Sequence, residues 1–265
     1  MRPRPRPAWG QRQGSLRAPW RLVLLMLAIP GVLPGAATSG TLPKRPAAGP
    51  NPSCPTALAT RPAGPSALRL APSASEALPG YGAALLTTAL GWPRLSSWCV
   101  WIEPVADATD PWQHRWSEAV QAALRTWQTL LPIERVQDPA AAQVRLYRRR
   151  PPLGSDPQGR SRASHGRALL ALLVVERQPG LWRLEPAVEV LIGPGQRAEA
   201  LQATALHELG HAFGLWGHSP DPADALAPAP GPLPVLAPTA RDRATLRWLY
   251  GQSTAFGEVV APPPP

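Results

Sequence analysis

Between residues 111 and 131 the apolar positions recur at steps of three and four: Trp116, Val120, Leu124, Trp127 and Leu131 form one continuous stripe. That spacing predicts an amphipathic helix with one face packed on a sheet. Asp110-Pro111 supplies its start, a carboxylate to cap the first free N–H groups and a proline at the first helical position. Residues 98–102 and 144–147 are short and rich in strand formers. Residues 169–175 and 182–192 read as two further strands, the second alternating Val188, Val190 and Ile192 on one face. Gln178-Pro179-Gly180 between them is a turn, so the pair is expected to form a hairpin. Gly193-Pro194-Gly195 then breaks the strand pattern, and residues 196–213 are good helix formers stopped by Gly214.

Composition separates this patterned middle from its flanks. The 265 residues include 37 Pro and 22 Gly, concentrated before Gly91 and after Ser219, which leaves room for one ordinary domain and no second core. Residues 38–90 read as a Pro/Ala-rich pro-segment or linker, residues 148–167 as an Arg- and Gly-rich surface loop, and residues 252–265 as a Pro-rich tail. Residues 1–37 have the three parts of a secretory signal: a basic stretch ending at Arg21, an apolar run over 22–33, and small residues at Gly35, Ala36 and Ala37. The run contains Pro30 and falls short of the ~20 residues that span a hydrocarbon core, so cleavage near Ala37 is expected, with an uncleaved anchor as the alternative. The mature protein is expected outside the cytoplasm, extracellular or periplasmic, without membrane insertion and as a monomer.

In such a compartment Cys54 and Cys99 are candidates for a disulfide. A free thiol, or Cys54 as a thiolate capping a metal, are the competing readings. The formal charge is +10, but Lys44 is the only lysine and Arg2, Arg4, Arg6, Arg12, Arg17 and Arg21 lie in the leader. No stripe of Arg interleaved with aromatics appears, so nucleic acid is not an expected partner.

The chemistry is concentrated in His207-Glu208-Leu209-Gly210-His211. Residues four apart lie on one helical face with Cβ atoms ~5–6 Å apart, so two imidazoles can share one ion. Glu208 is displaced by about 100° around the helix, wrong for a third ligand and right for a base that reaches a metal-activated water. A catalytic zinc needs a third protein ligand; Gly214 turns the chain, and His218 follows four residues later. Metal-assisted peptide hydrolysis with Glu208 as general base is the chemistry this set suits. His114 and His165 have no companions at ligand spacing and read as surface or partly buried histidines.

The stretch His-Glu-Leu-Gly-His-Ala-Phe-Gly-Leu-Trp-Gly-His-Ser at 207–219 resembles the zinc signature of the matrixins, the metzincin branch that includes matrix metalloproteinases and their bacterial relatives. The likeness extends over residues 91–251, with Ser219-Pro220-Asp221-Pro222 after the third histidine and a closing helix from Arg241-Asp242 to Tyr250-Gly251. It implies an α+β, zincin-like domain, a twisted mixed sheet backed by helices with the zinc helix at its centre. It also implies a secreted zinc endopeptidase acting on protein or peptide substrates, with one zinc ion on His207, His211 and His218. The pattern departs in three ways. Three residues instead of two separate Gly214 from the third histidine, Leu226 stands where the family has a methionine beneath the metal, and residues 148–167 lack the His and Asp set that holds a structural zinc and calcium. One zinc and no obligatory calcium are therefore expected. The rival reading is an inactive, zinc-stabilised binding module; Glu208 argues against it, because a structural site is usually closed by four ligands.

Overall fold

Three tryptophans fix the helices to the sheet. Trp98, Trp116 and Trp127 are fully buried, and each indole N–H donates to a distant acceptor: the Tyr250 hydroxyl at 2.8 Å, the Ile192 carbonyl at 3.1 Å and the Leu206 carbonyl at 3.0 Å. Large amphipathic rings provide much of the apolar burial, and their polar tips set where neighbouring elements must lie.

This computed structural model describes residues 54–64, 70–72, 78–155, 161–229 and 231–262, which fall in one compact unit. The strands are β1 (Ala59–Pro62), β2 (Ala71–Pro72), β3 (Leu86–Thr87), β4 (Trp98–Ile102), β5 (Ile133–Val136), β6 (Val144–Tyr147), β7 (Gly154–Ser155), β8 (Ser161–Arg162), β9 (Gly166–Gln178), β10 (Leu181–Ile192) and β11 (Val259–Val260). The α-helices are α1 (Pro111–Gln128), α2 (Ala198–Ala212) and α3 (Ala240–Tyr250). The main sheet runs β1-β9-β10-β6-β4-β5, with β11 added to β10. It is mixed: β5, β4, β6 and the end of β10 are parallel, whereas β9 and β11 run antiparallel to β10 and β1 antiparallel to β9. The fold is thus mixed α/β, a twisted mixed sheet with three helices.

The expected elements are present. Asp110 caps α1 by accepting from the N–H groups of Trp112 and Gln113 at 2.8 and 3.3 Å, and the stripe from Trp116 to Leu131 is buried. The β9–β10 hairpin pairs from Leu181↔Gln178 to Ile192↔Gly166. Its alternation places Leu184, Val188, Val190 and Ile192 in the core. Thr239 and Asp242 close a reciprocal capping box at the start of α3.

The flanks differ from expectation. The described part of residues 38–90 is built into the domain instead of lying outside it. β1 pairs with β9 over Ala59–Pro62, Tyr81 and Leu85 are buried in the core, and Cys54 is disulfide-bonded to Cys99 of β4. An edge strand held by backbone bonds needs little apolar periodicity, so a Pro/Ala-rich sequence hides it. Residues 252–265 likewise contribute buried Phe256 and strand β11. In the 148–167 stretch, Gly166 and Arg167 already belong to β9. Arg148 lies over the Trp116 ring at 5.7 Å and pairs with Glu103 at 3.4 Å, a packed position for a residue expected on a surface loop. The signal-like residues 1–37 lie outside the described residues. No helix among the described residues is long and apolar enough to cross a membrane, and the disulfide suits an oxidising compartment.

Candidate metal centre

Helix α2 presents His207 and His211 from a segment packed against α1, β9 and β10. The two rings are oriented from behind. His207 Nδ1 is 2.9 Å from the Ala225 carbonyl oxygen and His211 Nδ1 is 2.7 Å from the Leu215 carbonyl oxygen. A carbonyl only accepts, so each Nδ1 carries the proton and each Nε2 presents a lone pair. Those two Nε2 atoms face each other at 3.1 Å. Neither can donate to the other, and two facing lone pairs repel unless a cation lies between them. Tetrahedral coordination with metal–nitrogen bonds of ~2.0–2.1 Å sets its ligand nitrogens about 3.3 Å apart, close to the spacing present.

The chain then turns to bring up the third imidazole. Gly214 has φ +103°, a left-handed conformation that favours glycine, and its N–H donates to the His211 carbonyl at 2.9 Å. The three residues Leu215, Trp216 and Gly217 fit before His218 because residue 217 has no side chain. A Cβ there would sit 2.2 Å from the Ala84 carbonyl oxygen. The potential ligand atoms of His207, His211 and His218 all lie within 4.8 Å of one another. His211 is buried, His207 half-buried and His218 exposed, so the cluster opens to solvent on the His218 side. Three convergent imidazoles are a donor set for a divalent metal ion.

Burial keeps the His207 and His211 rings neutral near pH 7. Desolvation is the main cause that pushes His207 down to about 4 and His211 down to about 3, and it lowers His218 as well. Glu208 moves the other way for the same reason, up to about 7, opposed by a bond from the Ala168 backbone and by the Arg167 charge. The opening of β9 lies against this carboxylate: a Cβ on Gly166 would sit 2.7 Å from both Glu208 Cγ and Oε1. His114 and His165 are exposed, as expected, and lie outside the triad.

No family model matches the chain, and a search of curated proteins finds no match to it. The geometry of the site therefore carries the reading.

Behind the triad lies a second layer, of which the sequence had pointed only to Leu226. Leu226 is fully buried and packs against Gly210 of α2. Ala225, whose carbonyl orients His207, donates its backbone N–H to Asp242 Oδ2 at 2.9 Å. Asp242 is itself fully buried, and its Oδ1 accepts from the Tyr81 hydroxyl at 2.7 Å. Burial, followed by the negative charge of Asp242, pushes the Tyr81 hydroxyl far up. Asp242 entered the sequence reading only as part of the closing helix; the spacing Thr239-x-x-Asp242 is the signal that could have marked it as a cap, whereas Tyr81 left no signal, because it lies in a segment without periodicity.

Proposed function

We propose that the protein is a secreted zinc-dependent endopeptidase of the matrixin-like metzincin kind, in which His207, His211 and His218 hold one zinc ion. The observation that carries this is the pair of Nε2 atoms facing each other at 3.1 Å with each Nδ1 already within hydrogen-bond distance of a backbone carbonyl. Bound there, zinc supplies a Lewis acid for the scissile carbonyl and lowers the pKa of water toward ~7. Glu208 is the general base. Burial raises its proton affinity, and a carboxylate one step round the helix from His207 is placed to take a proton and return it to the leaving amine. The Ala168 N–H bonds to that carboxylate and orients it. Among the described residues β1 pairs with β9 over residues 173–176, and the stretch 166–171 beside Glu208 is the edge along which an extended peptide would add as a further strand.

The test is zinc content and casein hydrolysis by the purified full-length protein, alongside Glu208→Ala and His218→Ala. The reading requires that wild type bind one zinc and cut, that Glu208→Ala keep the metal and lose cutting, and that His218→Ala lose both. A zinc-loaded wild type as inert as Glu208→Ala would favour the binding module. A wild type without metal would remove both readings.

A further inference from the structure

Trp216 sits between the turn at Gly214 and the third histidine. Its indole stacks on the His211 imidazole with centroids 5.7 Å apart and planes 18° from parallel. The residue is 9% exposed, and its Nε1–H is buried without a hydrogen-bond partner among the described residues. Trp98, Trp116 and Trp127 each found an acceptor. In Trp216 it is the ring face, and not the N–H edge, that is engaged among the described residues.

The same loop thus holds His211 twice, by its edge through the Leu215 carbonyl and by its face through Trp216. The loop is clamped from outside in turn. The Leu86 N–H donates to the Trp216 carbonyl at 2.6 Å, and the Ala84 carbonyl fills the space a side chain at residue 217 would need. Electron density leaves an imidazole when its Nε2 binds a cation, and an electron-rich indole face attracts such a ring more strongly. Coupling of this kind is reciprocal: what the metal adds to the stack, the stack adds to metal affinity.

We propose that Trp216 is a positioning residue of the metal centre, stacked on His211 and locked by residues 84–86 so that the longer loop delivers His218 to the shared ion. This rests on the metal-binding reading of the triad and adds to it a residue that bonds no metal.

The probe is cobalt(II), titrated into metal-free full-length protein, with affinity read by chelator competition, coordination by the visible spectrum and proximity by quenching of indole emission. Trp216→Phe keeps an aromatic face and is expected to hold cobalt within about fivefold of wild type, while losing part of the quenching. Trp216→Leu fills most of the volume without a π face, and Trp216→Ala fills little of it; both are expected to weaken cobalt binding by about 10–100-fold and to alter the spectrum. Circular dichroism of each metal-free variant establishes folding, and the Phe and Leu pair decides the matter if the Ala variant does not fold. Equal affinity and identical spectra for the Phe and Leu variants would overturn the role of Trp216 while leaving the metal centre standing. A wild type that takes up no cobalt would overturn the metal centre and this proposal with it.

Discussion

Leu226 lies so close to Gly210 that a Cβ added to the glycine would be 2.8 Å from Leu226 Cδ2 and 3.0 Å from Cδ1, with Trp127 Cζ2 at 3.2 Å on another side. The helix that carries His207 and His211 is therefore gripped between α1 and the turn after His218, at the one residue of its last turn that has no side chain. A glycine in a helix ordinarily costs about 1 kcal/mol relative to alanine, so alanine here would be favoured if space allowed. Sterics win instead: Gly210→Ala is expected to destabilise the protein by about 1–3 kcal/mol. Leu226→Met, close to it in volume, is expected to cost less than about 1.5 kcal/mol, whereas Leu226→Ala should cost about 2–5 kcal/mol. Urea unfolding of the three variants measures this order.

The pH dependence of metal-free stability has two limbs of opposite sign. His207 and His211 are lowered from 6.5 to about 4 and about 3, so the unfolded chain takes up protons first. Their contribution is complete above pH 6.5 and is lost as pH falls through those folded values. Glu208 is raised from 4.5 to about 7; its contribution is complete below pH 4.5 and is lost as pH rises through about 7. The Glu208 limb should amount to a few kcal/mol and the limb of the two histidines to roughly twice that or more, on the order of what such shifts imply. Unfolding measured from pH 4 to 8 with a chelator present should show the acid limb flattened by His211→Asn and the loss between pH 4.5 and 7 removed by Glu208→Gln. A profile unchanged by both substitutions would refute the assignment.

The run Tyr81–Asp242–Ala225–His207 connects the core to a ligand through three hydrogen bonds of 2.7, 2.9 and 2.9 Å. Removing the Tyr81 hydroxyl takes one bond from a buried carboxylate, and Tyr81→Phe is expected to cost about 1.5–3 kcal/mol of stability. Asp242→Ala frees the Ala225 backbone that orients His207. Zinc affinity should then fall by about 10–100-fold, the usual effect of losing an outer partner of a ligand. Competition with a chromogenic chelator reads that change directly.

The Cys54–Cys99 bridge closes a loop of sequence separation 45. Chain-entropy reasoning gives about 4 kcal/mol for a loop of that length, acting through the unfolded state. The paired Cys54→Ser and Cys99→Ser substitutions should lower the urea midpoint accordingly, and limited proteolysis should then cut first between Cys54 and Pro62, the stretch the bridge anchors. Zinc stoichiometry should be unchanged, because neither cysteine belongs to the triad. Loss of zinc from the folded double variant would contradict this separation of roles.

His207, Glu208 and His211 were legible because helical periodicity is local: four residues make one turn, whatever the rest of the chain does. The same holds for α1, whose cap and stripe are written within twenty-odd residues, and for the β9–β10 hairpin, whose partners flank one turn. His218 was legible only as a candidate. Its place beside the other two depends on Gly214 turning left-handed and on Gly217 fitting under the Ala84 carbonyl, which is a contact across more than 130 positions. Residues 54–64 and 78–88 carried no pattern because their contribution is made through backbone pairing with β9, a disulfide and a few side chains such as Tyr81 and Leu85. Only the tertiary structure could show that Trp216 stacks on His211, that Leu226 meets α2 at Gly210, and that Asp242 holds the Ala225 backbone behind His207. Sequence by itself determined which residues can bind and activate, since that depends on side-chain chemistry and local spacing. The fold decided which of them meet and what holds them there, since those contacts join positions that no local pattern relates.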